Sequence, residues 1–264
     1  PQDHTFLETV ADQVAVGIDH VRLREHAHEV GTALEIQQRL LPDVMPQVHG
    51  YELAGVWQPA RTVSGDYFDV LPLSDRYIGL CIADVVGKGM PAALLMSNVQ
   101  AAVKAVVSDQ VTPSELCVHV NRVIYSNIDA GKFVTFFYGI LDVDDQRLVY
   151  TNAGHNQPIL VRKDGSRETL HTGGPVLGVF EEGSYQQDEI GLSAEDRVVM
   201  YTDGVTEMRN DQDEEFGEDR LLDFVTRHRH LDAISLHQSV LKEVTEFGSG
   251  ESQDDVTLLV VAAD

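Results

Sequence analysis

The feature that most constrains the fold is a series of apolar segments of strand length, most of them separated by short turns. "VTFFYGILDV" and "RLVYTNAG" are joined by "DDQ", and the Asp164-Gly165 turn joins "PILVRK" to "SRETLHT". Turn residues between such segments predict β-hairpins. Further predicted strands are "YELAGVWQP", "YFDVLPL", "RYIGLCIAD", "RVVMYTDG" and "DVTLLVVAA". Because hairpins outnumber strand-helix-strand units, we expect mainly antiparallel sheet with helices packed outside it.

Helices are predicted over residues 91–107, 113–127, 218–229 and 232–247. Thr112 is expected to cap the second of these, with Pro113 at its first helical position. Residues 3–41 form a longer helical segment, ended by Pro42, whose spacing is locally heptad-like. Its apolar positions are Leu7, Val10, Val14, Ile18, Val21, Val30, Leu34 and Leu41. Two interpretations stay open for it: an amphipathic helix packed on the main domain, or a dimerising and signalling helix.

Composition limits the classes of partner. The 264 residues include 43 acidic and 19 basic ones, which gives a net charge of −24. Binding to nucleic acid requires clustered Lys and Arg, so we expect no nucleic-acid partner, and the same charge disfavours anionic lipid. The two cysteines, Cys81 and Cys117, are expected to be buried thiols of a reduced compartment. With no apolar run of transmembrane length, we expect a cytoplasmic protein without a membrane partner.

Two carboxylates are expected to face each other across one hairpin. If the chain reverses near Asp75, residues whose numbers add to about 150 lie opposite each other, and Asp66 and Asp84 meet that condition. Paired side chains lie within about 5 Å at Cβ. Two carboxylates at that distance repel, and a divalent cation makes the arrangement favourable. The alternative is that both aspartates only cap turns at strand ends.

The Gly-Lys-Gly turn after Asp84 could be a phosphate-binding loop or a tight turn beside a metal. A Walker loop needs a hydroxyl residue to hold magnesium, whereas Met90 and Pro91 follow this turn. Glycines are better explained by a turn that lets the backbone approach a ligand or metal. The metal interpretation is therefore favoured.

Three further aspartates stand at strand ends. Asp203 follows "RVVMYT", and Asp254 and Asp255 precede "VTLLVVAA". Carboxylates, backbone carbonyls and water are ligands that suit magnesium or manganese. The sequence has no His/Cys cluster of the kind that would indicate zinc. Two such ions about 3.5–4 Å apart can activate a water for in-line attack on phosphorus. This chemistry hydrolyses a phosphate ester without a protein nucleophile.

The residues also resemble a family. The order of "SGDYFD", "ADVVGKG", "FVTFFYG", "NAGHNQP", "LG", "MYTDGVTE", "FG" with "RL", and "QDDVTLLV" is similar to that of the metal-dependent, type 2C-like (PPM) serine/threonine phosphatases. More narrowly, it resembles the bacterial subgroup named after the stage II sporulation protein E phosphatase. The resemblance covers about residues 36–264. It implies an α+β fold, an α-β-β-α sandwich of two mainly antiparallel sheets flanked by helices, preceded here by the long N-terminal helix.

The resemblance implies a site with two Mn²⁺ or Mg²⁺ ions. The residues expected to surround the ions and to carry catalysis are Asp66, Asp84, Asp203 and Asp254, with the backbone carbonyl of Val85 as a further ligand. Arg61 matches the position of a phosphate-contacting arginine, although a solvated surface arginine is the alternative. Asp69, Asp255 and His155 are predicted accessory residues.

Two departures from the family pattern affect the chemistry. Eukaryotic relatives carry a histidine, proposed to protonate the leaving serine, where this chain has Val86. General-acid catalysis is worth about 10²–10⁴-fold, so another proton source is needed here. His155 stands where those relatives often carry an aspartate tied to an extra metal. It is either a ligand or donor there, or a hydrogen-bonded structural histidine, which we favour.

The N-terminal stretch resembles the last helix of a GAF-type sensor domain. We therefore divide the chain into a signalling helix, residues 1–41, and a phosphatase domain, residues 42–264. The helix would form a homodimer, and "LEIQQRLLP" at residues 34–42 would transmit the signal.

The resemblance implies a phosphoserine/phosphothreonine protein phosphatase in bacterial signalling, acting on a phosphorylated STAS-type anti-sigma-factor antagonist. Two other classes of protein are alternatives. The first is a phosphatase-like binding module without catalysis, which the intact set of four aspartates opposes. The second is a two-metal phosphodiesterase for nucleotides, which the acidic charge and the lack of an aromatic stacking stripe oppose.

Overall fold

The structure is a computed structural model that describes residues 2–248 and 254–264, without the side chains of residues 2–12, 14–16 and 26. The helices are α1 Gln2–Gln38, α2 Met90–Val106, α3 Pro113–Asn127, α4 Asp203–Thr206, α5 Glu218–His228 and α6 Ala233–Phe247. The strands are β1 Tyr51–Gln58, β2 Tyr67–Pro72, β3 Tyr77–Val85, β4 Val134–Asp142, β5 Arg147–Ala153, β6 Ile159–Val161, β7 Arg167–Thr169, β8 Gly173–Gly174, β9 Asp188–Gly191, β10 Arg197–Tyr201 and β11 Val256–Ala263.

The strands form two sheets. One has the order β1-β11-β10-β6-β7, and the other has the order β2-β3-β4-β5-β8, with β9 also paired to β5. The β5–β8 pairing is parallel, and the other pairings between these strands are antiparallel. The predicted hairpins β2–β3, β4–β5 and β6–β7 are all present. The mainly antiparallel α+β architecture predicted from the sequence is therefore confirmed.

Three apolar layers hold the molecule together. The two sheets face each other through side chains such as Phe68, Phe137 and Leu259. Helices α2 and α3 cover the outer face of the second sheet through Met96, Val120 and their neighbours. Helices α5 and α6 cover the outer face of the first sheet. This order of layers, α-β-β-α, is the predicted sandwich.

Local signals explain where α2 and α3 begin. Thr112 caps α3 in a capping box with Glu115, and Pro113 occupies the first turn, as predicted. Helix α2 begins directly after the Gly-Lys-Gly turn, in which Gly87 and Gly89 adopt φ values of +105° and +77°. Residues with a Cβ are strained in that region, so the turn requires both glycines. Lys88 is thereby held between strand β3 and helix α2.

Helix α1 precedes the sandwich and is attached to it near its end. It runs as one helix to Gln38, and Leu41 packs against the core beyond it. The exposed side chains of Ile18 and Val21 lie on this helix, whereas those of Leu7, Val10 and Val14 lie outside the described residues. Whether α1 is the tail of a sensor domain, and whether the chain divides at residue 41, stay predictions.

Two other sequence expectations concern the cysteines and the membrane. Cys81 and Cys117 are both free and buried, as predicted. Within residues 2–248 and 254–264, no helix is both long and apolar enough to cross a bilayer.

Candidate active site

Asp66 and Asp84 face each other as the hairpin predicts. The β2–β3 register pairs Tyr67 with Ala83 and Phe68 with Ile82, so Asp66 and Asp84 occupy the next facing positions. The two carboxyl groups are close enough to influence each other's ionisation, as expected for facing positions on paired strands.

Asp66 is the most deeply placed of these carboxylates. Its side chain is 1% exposed, and its Oδ2 accepts hydrogen bonds from Thr202 Oγ1 at 2.7 Å and Thr257 Oγ1 at 2.6 Å. Burial first, and then the charge of Asp84, hold the pKa of Asp66 well above its usual range, although the two hydroxyl donors lower it. The hydroxyls fix the orientation of this carboxylate.

Asp84 and Asp203 continue the cluster toward the surface. Burial, followed by the charges of Asp203 and Asp254, raises the pKa of Asp84 to about 7. Burial, followed by the charges of Asp254 and Glu207, raises the pKa of Asp203 to about 6. The carboxylates therefore repel one another at neutral pH, and a cation bound among them would relieve that repulsion.

Asp254 contacts the Gly-Lys-Gly turn. Lys88 Nζ lies 2.7 Å from Asp254 Oδ2, which places an ammonium group at the edge of the acidic cluster. The turn therefore presents its lysine to a carboxylate.

Asp255 has a different environment from its neighbour. Its Oδ1 accepts the Ala60 backbone N–H at 2.7 Å and its Oδ2 accepts the Gly65 backbone N–H at 2.9 Å. Both carboxylate oxygens are thus used to hold the segment that leads into β2. At Gly65 a Cβ would lie 2.9 Å from the Val85 carbonyl oxygen, so this glycine lets the two strand ends approach closely.

The remaining predicted residues lie in three separate places and are Arg61, Asp69 and His155. Arg61 is exposed on the segment that Asp255 holds. Asp69 is buried on the other side of the hairpin, where Tyr67 Oη donates to it at 3.0 Å and Lys104 Nζ lies 3.1 Å away. It therefore forms an ion pair between β2 and α2, with Lys104 on the exposed side, and is not placed with the acidic cluster.

His155 is a buried, neutral residue beside the site. It is 4% exposed, and burial lowers its pKa to about 3. Its Nδ1 lies 2.8 Å from Thr135 Oγ1, and Thr135 pairs with Asp84 across β3 and β4. The hydrogen bond at Nδ1 fits the interpretation of His155 as a hydrogen-bonded structural histidine, although Nε2 of the same ring is buried without a hydrogen-bond partner.

Sequence reasoning missed three residues that support the site. Thr202 and Thr257 hold Asp66, and Gln37 binds the backbone of Ser64, two residues before it. The available signal was a polar side chain within an otherwise apolar segment, as Thr257 is in "VTLLVVAA".

The donor set fits divalent cations by its chemistry. It consists of carboxylate oxygens and a nearby backbone carbonyl, which are the ligands that Mg²⁺ and Mn²⁺ prefer. Burial first, and then neighbouring carboxylates, raise the pKa values of Asp84 and Asp203, so a cation beside them would favour their charged forms. Across residues 2–248 and 254–264, however, no three His, Cys, Asp or Glu side chains converge closely enough to form a ready-made cage.

Comparison with known proteins identifies the family. The family model described as stage II sporulation protein E (SpoIIE) matches residues 74–264. The chain belongs to the SpoIIE family. It is also 31% identical over 248 residues to the phosphoserine phosphatase RsbU of Bacillus subtilis, which covers 92% of this chain and 73% of RsbU. The enzyme class predicted from the sequence, a metal-dependent serine/threonine phosphatase, is confirmed by this SpoIIE-family membership.

A second relative matches a smaller part of its own length. The phosphoserine phosphatase RsbP of Bacillus subtilis is 27% identical over 183 residues, which covers 67% of this chain and 45% of RsbP. Among solved structures, the SiaA-PP2C domain of Pseudomonas aeruginosa aligns over 92% of this chain and 98% of its own, with a TM-score of 0.80 and 20% identity. That likeness confirms the predicted phosphatase fold.

Proposed function

We propose that this chain hydrolyses phosphoserine and phosphothreonine on a cytoplasmic signalling protein. The observation that carries the proposal is the group of mutually repelling carboxylates Asp66, Asp84 and Asp203, next to Asp254. Asp66 is buried, and Asp84 and Asp203 are partly buried. The names of the relatives RsbU and RsbP support phosphoserine as the substrate. For the partner we propose a phosphorylated STAS-type anti-sigma-factor antagonist, as the sequence resemblance implies.

Two Mn²⁺ or Mg²⁺ ions held by the four aspartates and the Val85 carbonyl would supply an activated water for attack on phosphorus. The chain's own residues orient this site. Thr202 and Thr257 fix the Asp66 carboxylate through their hydroxyls. Because this carboxylate is fixed before substrate arrives, little reorganisation is needed during the reaction.

The substrate's phosphate is proposed to meet Arg61. This guanidinium is exposed, on the segment that Asp255 holds through two backbone N–H groups. An arginine can bind two phosphate oxygens at once and so orient the phosphate for in-line attack. Val86 has no ionisable side chain, and we propose that the leaving serine takes its proton from water.

The first experiment is phosphate release from a phosphoserine protein, with and without Mn²⁺, for the wild type and Asp203→Asn. We expect Mn²⁺-dependent turnover that falls at least about 100-fold in the variant, because a charged ligand is lost. Asp109→Asn is the matched control, since Asp109 is exposed on the loop after α2.

Calorimetric titration of Mn²⁺ into the same samples separates the remaining outcomes. Binding without turnover indicates a phosphatase in a switched-off state. An absence of both binding and turnover in the wild type would contradict the proposal and favour a binding module.

A further inference from the structure

A cleft of about 440 Å³ opens directly beside the proposed metal site. It lies between the N-terminal half of α2 and the segment that joins α3 to β4. Val85, whose carbonyl is a proposed ligand, forms part of its wall. A polypeptide whose phosphorylated side chain reached the carboxylates could therefore continue into this cleft.

The charge of the cleft differs from that of the whole chain. Lys88 and Lys132 line it together with one acidic residue, Asp129, whereas the chain carries a net charge of −24. Lys132 Nζ lies 3.4 Å from the Val86 carbonyl oxygen. A Cβ added to Gly87 would lie 2.7 Å from the same Lys132 Nζ. The Lys132 ammonium group therefore lies over the Gly-Lys-Gly turn, close to the site.

The remainder of the cleft is largely apolar. Leu94, on the first turns of α2, is 60% exposed, although the opposite face of the helix is packed in the core. Pro91, Leu95 and Ile128 line the cleft with it. Exposed apolar side chains grouped beside a reactive centre are typical of a surface that binds a partner's side chain.

We propose that this cleft binds the polypeptide next to the phosphorylated residue and selects its sequence. Lys132 would prefer an acidic residue of the substrate, and Leu94 would prefer an apolar one. The inference rests on the proposed function, since it assigns the part of the same substrate that lies outside the metal site. It concerns selectivity, which the carboxylates alone cannot supply.

The experiment uses fluorescein-labelled nine-residue peptides in the presence of Mn²⁺. Their central residue is phosphonomethylalanine, an analogue of phosphoserine whose P–C bond the enzyme cannot hydrolyse. One peptide carries glutamate and leucine beside this residue, the second carries lysine and leucine, and the third carries glutamate and asparagine. Their dissociation constants are measured by fluorescence anisotropy for the wild type, Lys132→Glu and Leu94→Asn. Lys242→Glu and Ile234→Asn are matched controls, because both residues are exposed on α6, which covers the other sheet.

We expect the wild type to prefer the peptide with glutamate and leucine. Lys132→Glu should shift the preference toward the lysine peptide by about five-fold, since an exposed attraction becomes a repulsion. Leu94→Asn should remove the preference for leucine over asparagine by about three- to ten-fold. The controls should bind like the wild type.

Two results would overturn the proposal: no measurable binding of any peptide by the wild type, or the same preferences in both variants as in the wild type. Thermal unfolding of each variant shows whether a change arises from misfolding. The peptide assay measures binding, whereas the phosphate-release assay measures catalysis. A wild type that selects among the peptides but releases no phosphate would contradict the proposed function and leave the inference about the cleft intact.

Discussion

At the residue scale, two neighbouring aspartates have different roles. Asp254 pairs with Lys88, and both side chains are partly exposed. Asp255 is buried and accepts two backbone N–H groups, from Ala60 and Gly65. The sequence predicted Asp254 as a ligand and Asp255 as an accessory residue, and the contacts assign the second one to holding the segment before β2. That Asp254 binds a cation stays a prediction.

Asn substitutions distinguish the two roles. Asp255→Asn exchanges one acceptor for an NH₂ group that faces a backbone N–H, so we expect it to lower the free energy of unfolding by about 1–3 kcal/mol. Asp254→Asn should change it by about 1 kcal/mol or less, since a partly exposed ion pair contributes little, while weakening Mn²⁺ binding. Urea unfolding measures the free energy of unfolding, and calorimetry measures Mn²⁺ binding. Equal destabilisation by the two substitutions would contradict this assignment.

At the element scale, the end of α1 is joined to the site. Gln37 is 3% exposed, and its Nε2 donates to the Ser64 carbonyl at 2.8 Å while its Oε1 accepts the Ser64 N–H at 3.1 Å. Ser64 Oγ in turn accepts the Asp66 N–H at 2.9 Å. A displacement of α1 would therefore move Asp66, a proposed metal ligand, through the hydrogen bonds of Gln37 and Ser64.

Gln37→Ala should show this connection. It leaves two backbone groups of Ser64 without partners, so we expect a loss of about 1–3 kcal/mol of unfolding free energy. Mn²⁺-dependent turnover should also fall, because Asp66 loses its fixed position. Gln38→Ala is the matched control, since Gln38 is the exposed neighbour. If both variants retained wild-type turnover, α1 would not be coupled to the site in this way.

Helix α1 also exposes apolar side chains to solvent. Ile18 is 49% and Val21 is 55% exposed, and both belong to the heptad-like spacing predicted from the sequence. We predict that they pack against a second copy of the helix. Ile18→Glu combined with Val21→Glu should convert a dimer to a monomer in sedimentation velocity, whereas Val44→Glu, at a residue 82% exposed beyond the helix, should not. A wild-type monomer would contradict the prediction.

At the scale of the whole molecule, the acidic cluster makes stability depend on pH. The pKa values of Asp84 and Asp203 are raised to about 7 and about 6, above the value near 4 that aspartate has in an unfolded chain. The folded state therefore binds more protons than the unfolded state between about pH 4 and 7. Stability of the metal-free protein must fall as pH rises through that window.

We expect the metal-free protein to lose about 2–4 kcal/mol of unfolding free energy between pH 5 and 8 through this cluster. Mn²⁺ should restore it at pH 8, because a cation that binds only the folded state stabilises it. Urea unfolding at both pH values, with and without Mn²⁺, measures the effect. Asp84→Asn should flatten the metal-free profile, and an unchanged profile would show that the cluster does not cause it.

The sequence by itself determined the hairpins, the Thr112 cap and the positions of the strand-end aspartates. A strand has a period of two residues and a short turn fixes its register, so the pairing of Asp66 with Asp84 could be read from local spacing. The Gly-Lys-Gly turn and the Thr112 cap are equally local. Each depends on residues that are neighbours in the chain.

Only the tertiary structure decided which partners meet across long distances in the sequence. The bond from Ala60 to Asp255 spans 195 residues, that from Thr202 to Asp66 spans 136, and that from Gln37 to Ser64 spans 27. Such contacts follow from how the two sheets and α1 pack, and no periodic pattern marks them beforehand. The different roles of Asp254 and Asp255, which are adjacent and chemically identical, were therefore set by the packing around them.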